Sequence, residues 1–130
     1  MSSGHQHESW QGGQSYEHFM GRWSRLVALE FINQLHIPHD SHWLDVGCGT
    51  GALTQVILQQ ASPASVTGID PSGAFIEYAR AHILDKRVRF DVGNSDRIRY
   101  DSNQFNAVVS GLALNFMTDY VDAIREMMRV

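Results

Sequence analysis

Three glycines, Gly47, Gly49 and Gly51, sit two apart directly behind a short apolar run at 43–46, and that run carries one carboxylate, Asp45. A helical pattern starts at once after them. Strand, glycine turn and helix together make a cradle for a nucleotide-like ligand. Side chains at Gly47 and Gly49 would block the approach of the backbone to that ligand, and positions in such a turn also call for positive φ. The free N–H groups opening the next helix offer donors and a partial positive charge. Asp70 stands about 20 residues further on, where an acid holds ribose hydroxyls.

Two ligand classes fit this cradle. Gly47, Gly49 and Ala52 satisfy the dinucleotide pattern G-x-G-x-x-[GA], so an NAD-dependent oxidoreductase is one reading. Asp45 favours the other. A carboxylate two residues before the first glycine repels a pyrophosphate and attracts a cation. S-adenosylmethionine carries an ammonium and a sulfonium and has no phosphate. Gly51 completes D-x-G-x-G-x-G.

The groups need elements to position them. From Trp23 the apolar positions Leu26, Val27, Phe31, Ile32 and Leu35 recur at helical spacing, with Gly21 dividing a short helix from a longer one and Pro38 and Asp40 closing it. Strands are predicted at 43–46, 66–69, 88–92 and 106–110. Helix 52–60 shows Leu53, Val56 and Ile57 on one face. A helix with Pro71 near its first turn shows Phe75, Ile76, Ala79 and Ile83. A last helix, from about Asp119, has Val121, Ile124 and Met128 as its apolar face. Residues 93–104 read as a loop. Four alternations of strand and helix predict an α/β fold, a Rossmann-like doubly wound parallel sheet with right-handed crossovers.

The ordered set of motifs resembles class I S-adenosylmethionine-dependent methyltransferases. "LDVGCGTG" (44–51) is similar to their first motif and "GIDPS" (68–72) to their second strand and its acid. "VGNSDRI" (92–98) stands where the family often has Gly-Asp-Ala. "QFNAVVSGLALNFMTD" (104–119) resembles the fourth strand, and "AIREMMRV" (123–130) the helix before an Arg-Val-Leu turn. "YEHFMGRWSR" (16–25) resembles a cofactor-covering helix of a small-molecule branch.

The resemblance implies that Gly47, Cys48 and Gly49 wrap the methionine part of the cofactor through backbone atoms, with Gly51 closing the turn. Asp45 would sit near its amino group. Asp70 would accept from the ribose hydroxyls, Pro71 and Ser72 would flank the adenine, and Asn94 and Ser95 would approach its edge. Ser110 and Gly111 would border the cofactor after strand four. Arg22 is the candidate for its carboxylate. Two residues depart from the family pattern: Asn94 and Asn106 each replace an Asp. An amide at 94 still accepts from an amino group.

Other readings compete at single positions. Asp70 before Pro71 also suits a helix N-cap, and Asp45 a turn cap. Cys48 is read as inert, since no His is placed to activate it. Tyr16, His18, Phe19 and Trp23 either line a substrate pocket or join the core, and Asn115 and Phe116 either touch substrate or pack a loop. No residue is assigned as catalytic. Strand four leads into "SGLALNF" and not the Asn-Pro-Pro-Tyr type motif used for nucleobase amino groups, so the expected acceptor is a small molecule.

Composition bounds the rest. The 130 residues fit one domain, with residues 1–14 as a flexible tail and 15–130 as the cofactor-binding domain. A net charge of −4 argues against nucleic acid as a partner. The basic residues gathered between Lys86 and Arg99 alternate with apolar ones and read as a solvated strand face. One cysteine, a polar N-terminus and no long apolar run suggest a reducing cytoplasm and no membrane association. The seven histidines form no zinc-type pattern, so no metal is expected.

The family's sheet has seven strands, and this sequence supplies four, in the order 3-2-1-4. Strand four then becomes an apolar edge, which invites pairing with another chain. Three expectations stay open: a fragment of a longer protein, which leads; a homodimer through that edge; and a non-catalytic binding module.

Overall fold

The computed structural model describes residues 29–110 and 120–130. The tail expected at 1–14 and the residues Tyr16, His18, Phe19, Arg22, Trp23, Gly111, Asn115 and Phe116 lie outside the described residues. In chain order the elements are α1 (29–34), β1 (His42–Val46), α2 (Ala52–Gln60), β2 (Ser65–Asp70), α3 (Gly73–His82), β3 (Val88–Val92), β4 (Ala107–Val109) and α4 (Tyr120–Arg129). The strands form one sheet in the order β3-β2-β1-β4, every pair parallel. Helix 52–60 and strand 88–92 coincide with the hydrophobic pattern, and the other strand ends differ by one residue at most.

β1 is the central strand and is apolar on both faces, as a strand covered by helices on each side must be. Trp43 stands opposite Val66 on one side and Ala107 on the other, so these three share a sheet face. They pack against Leu53, Val56 and Ile57 of α2 and Ile32 of α1. Leu44, Val46 and Ile69 point the other way, into Ile98 and Val130, with Tyr100, Phe105 and Met127 around them. A third cluster of Cys48, Ile76, Ala79 and Phe90 seats α3 beside β3. On the β3 edge Arg89 is 73% exposed and pairs with Asp91 at 2.9 Å, a solvated strand position, whereas Arg87, before the strand, bonds Asp85 at 2.9 Å and the Leu58 carbonyl at 3.2 Å.

β4 is held in register by Asn106. Its Oδ1 accepts from the His42 N–H at 2.7 Å and its own N–H donates to the His42 carbonyl at 2.8 Å. The residue that replaces the family's Asp therefore has a structural job that an amide does as well as a carboxylate.

α4 corrects the sequence reading of its packing face. Val121, Ile124 and Met128 are exposed (50%, 43% and 81%), while Met127 and Val130 reach the sheet. The helix docks through its last turn. Arg129 donates to the carbonyls of Ile98 (2.7 Å) and Tyr100 (3.0 Å), Glu126 accepts from the Ile98 N–H (2.8 Å), and the Val130 carbonyl accepts from Phe105 (2.9 Å). These polar bonds fix the loop at 93–104 against the sheet.

Candidate functional site

The C-terminal ends of all four parallel strands lie on one side of the sheet, where ligands bind in open α/β folds. The glycine turn follows β1 there. Gly47, Gly49 and Gly51 have φ of +70°, +56° and +95°. The Gly47 and Cys48 N–H groups both donate to the Ile69 carbonyl, at 2.8 and 2.9 Å, which ties the turn to the end of β2. At Gly51 the backbone is left-handed and a Cβ would stand 2.5 Å from Ile83 Cδ1, so a side chain there strains the backbone and displaces Ile83. Gly68, opposite Asp45 on β2, is needed for close approach: a Cβ there would meet Phe90 at 2.8 Å.

α2 begins at the third glycine and has no side-chain cap from its N-cap residue, Gly51, and no acid in its first turn. Beneath the turn, Thr54 Oγ1 donates to Asp45 Oδ2 at 2.6 Å. Asp45 is 1% exposed and Thr54 fully buried. Burial pushes the Asp45 pKa up to about 7, against the pull of the Thr54 hydroxyl; the nearby Asp70 carboxylate raises it further. Asp45 thus lies under the turn, not on its outer surface. Thr54 is the partner of Asp45 that the sequence reading missed; a polar residue inside the apolar stretch "ALTQVI" was its one signal.

Asp70 ends β2 and spans two turns. Its Oδ2 accepts from the Gly49 N–H and its Oδ1 from the Ser72 N–H, both at 2.9 Å. Burial raises its pKa, and those two backbone bonds pull it back. Asp70 is not the N-cap of α3. Ser72 is: its Oγ accepts from the Phe75 N–H at 3.2 Å, and α3 starts at Gly73. Pro71 is exposed and immediately precedes the cap, near the first turn as expected but outside it.

Asn94 and Ser95 follow β3 beside β2, and the Gly93 N–H donates to the Asp70 carbonyl at 3.1 Å. Asn94 is exposed and opens a tight turn closed by Arg97. Ser110 follows β4, and its buried Oγ has no hydrogen-bond partner. An orphaned hydroxyl at this end of the sheet suits a polar ligand. Cys48 is buried, with its thiol pushed far up by burial and by the Asp45 and Asp70 carboxylates, so it is no nucleophile at neutral pH. The structure therefore brings Asp45, Gly47, Cys48, Gly49, Gly51, Asp70, Pro71, Ser72, Asn94, Ser95 and Ser110 to one end of the sheet.

The residues fit S-adenosylmethionine better than a dinucleotide. Two partly or fully buried carboxyl groups with raised pKa make a turn short of positive charge. A cationic ligand relieves that shortage and a pyrophosphate deepens it.

Comparison with known proteins agrees. A family model described as "Methyltransferase domain" matches residues 44–130, more than half of the chain. Demethylmenaquinone methyltransferase from Symbiobacterium thermophilum is 30% identical over 115 residues, which cover 85% of this chain and 45% of that protein. The chain thus spans about half the length of the relatives it matches. Among solved structures, a Haloferax volcanii protein in complex with the Trm112 methyltransferase activator superposes with a TM-score of 0.82 at 21% identity, covering 98% of this chain and 56% of that one. A Methanococcus maripaludis protein described as S-adenosyl-L-methionine-dependent gives 0.81 at 24%, covering 99% and 62%. Both show the same fold. With the acid under its glycine turn and this family match, the chain belongs to the class I S-adenosylmethionine-dependent methyltransferases.

Proposed function

We propose that this chain binds S-adenosylmethionine as the cofactor part of a methyltransferase that acts on a small molecule. The observation that carries the reading is the pair of acids at the glycine turn, Asp45 beneath it and Asp70 bonded to its Gly49 N–H. In this reading Gly47, Cys48 and Gly49 present backbone groups to the methionine part and Gly51 fixes the exit of the turn. Asp70 accepts from the ribose hydroxyls with the lone pairs its two backbone donors leave free. Pro71 and Ser72 flank the adenine, Asn94 and Ser95 lie at its edge, and the Ser110 hydroxyl finds its partner on the ligand. Arg22 remains the candidate for the ligand carboxylate. When bound, the cofactor supplies an electrophilic methyl group on a sulfonium; the chain supplies positioning.

The small-molecule acceptor is supported by the resemblance to a quinone-type methyltransferase and by "SGLALNF" after β4. The test is transfer of a tritiated methyl group from S-adenosylmethionine in the presence of a demethylated quinol analogue, and separately of bulk RNA and protein. Label in the organic-soluble fraction is expected. Label only in the precipitable macromolecules would overturn the small-molecule assignment.

A second copy of the chain is the proposed cover for β4. β4 is the edge of the described sheet, and Val121, Ile124 and Met128 form an exposed apolar stripe on α4. In this reading the two β4 edges pair about a two-fold axis and the α4 stripes meet beside them. Light scattering over a concentration series should show a dimer that Ile124→Glu abolishes; a monomer at high concentration contradicts it.

A further inference from the structure

Ile98, in the loop at 93–104, has both of its backbone groups bonded by side chains of α4. Glu126 Oε1 accepts from its N–H at 2.8 Å, and Arg129 Nη2 donates to its carbonyl at 2.7 Å. Arg129 also donates to the Tyr100 carbonyl at 3.0 Å and to Glu126 Oε2 at 2.9 Å, so the two side chains brace each other. The Ile98 side chain is buried in the cluster of Leu44, Val46 and Ile69, which already holds it to the sheet. The charged pair adds orientation. With N–H and carbonyl both held, the planar peptide groups before and after Ile98 are fixed in direction.

Ile98 stands directly behind a short turn. The Arg97 N–H donates to the Asn94 carbonyl at 3.3 Å, and the two residues form a bridge. In front of that turn the Gly93 N–H donates to the Asp70 carbonyl at 3.1 Å. The turn that carries Asn94 and Ser95 is therefore anchored at one end by β2 and at the other by α4. Asn94 is exposed, so core packing does not place it. Its position depends on the two anchors.

We propose that Glu126 and Arg129 are positioning residues for recognition of the cofactor's base: from α4 they hold the turn at 94–97 where its polar groups meet the edge of the adenine. This deepens the cofactor reading and rests on it. Neither side chain touches the ligand in this account. Both lower the cost of ordering the turn when the base arrives, because the turn is already held. The methionine and ribose parts lie against other segments, the glycine turn and Asp70, which α4 does not bond. The effect of the pair is thus confined to the base.

The experiment titrates the full chain with S-adenosylhomocysteine and with S-ribosylhomocysteine, which lacks the base. Arg129→Ala and Glu126→Ala should each bind the first about tenfold more weakly and the second as the unaltered chain does. Glu126→Gln keeps an acceptor for the Ile98 N–H and should bind both ligands normally. Arg87→Ala loses bonds to Asp85 and to the Leu58 carbonyl at the opposite end of β3, and so controls for lost stability. It should bind both ligands normally. If Arg129→Ala does not fold, the contrast between Glu126→Ala and Glu126→Gln decides. Unchanged binding of S-adenosylhomocysteine in the alanine variants at 126 and 129 overturns the inference. So does an equal loss for both ligands, or a loss in Arg87→Ala that matches the one in Arg129→Ala. No binding of S-adenosylhomocysteine by the folded, unaltered chain would instead overturn the cofactor reading.

Discussion

The Asp70 carboxylate bonds the Gly49 N–H of one turn and the Ser72 N–H of the next, each at 2.9 Å, so one side chain sets the distance between the glycine turn and the start of α3. The acid that the sequence reading assigned to ribose recognition is also a structural clamp within the fold. Asp70→Ala removes both anchors and the proposed ribose acceptor. Cofactor affinity should fall by on the order of 1–3 kcal/mol, and Asp70→Asn, which retains one acceptor oxygen, by less. Titration of both variants checks this; unchanged affinity in Asp70→Ala would remove the ribose role.

Asp45 should make the unliganded protein less stable as pH rises. Its folded pKa, about 7, lies above its unfolded value of 3.8, so the stabilisation it lends is full below the lower value and is lost as pH climbs through the higher one. Asp45→Asn should therefore raise stability most above pH 7, by on the order of 2–4 kcal/mol, while its advantage shrinks toward pH 4. Denaturant melts at pH 5 and pH 8 measure the difference. An advantage equal at both values would mean that Asp45 is ionised throughout.

Gly51 combines a φ of +95° with a Cβ position 2.5 Å from Ile83 Cδ1. Gly51→Ala should cost about 1–3 kcal/mol, from backbone strain and overpacking together. Ile83→Val in the same chain should recover the packing part alone. Full recovery in the double variant would show that the left-handed backbone carries none of the cost.

Asn106 gives a prediction of near neutrality. Asn106→Asp restores the residue the family favours and keeps the acceptor for the His42 N–H, so stability should change by no more than about 0.5 kcal/mol. Asn106→Ala should lose about 1 kcal/mol. Thermal melts of the two variants decide it, and equal losses would show that the amide oxygen does not hold β4.

The strands were legible because β1, β2 and β3 are short apolar or alternating runs separated by turn residues; their order was implied by the family resemblance and not by the pattern, and the sheet has it. The glycine turn was legible because 47, 49 and 51 leave little else for that backbone to do. Capping was less so: Asp70 and Ser72 both suit an N-cap, and only the backbone path after Pro71 shows that the serine takes the role. Asp45 was identified as an acid that matters, but its burial depends on where α2 crosses β1, and that places Thr54 beneath the turn. The apolar stripe of α4 was read correctly as a stripe and wrongly as its docking face. Arg129 and Glu126 dock the helix instead, through loop carbonyls and an amide some thirty residues earlier in the chain, and no local pattern encodes that contact.

The central claim, that the turn of Gly47, Gly49 and Gly51 over Asp45 is built for S-adenosylmethionine, is tested most directly by titrating the purified chain with S-adenosylhomocysteine and with NAD. The account predicts saturable binding of the first and none of the second. Binding of NAD with indifference to S-adenosylhomocysteine would contradict it.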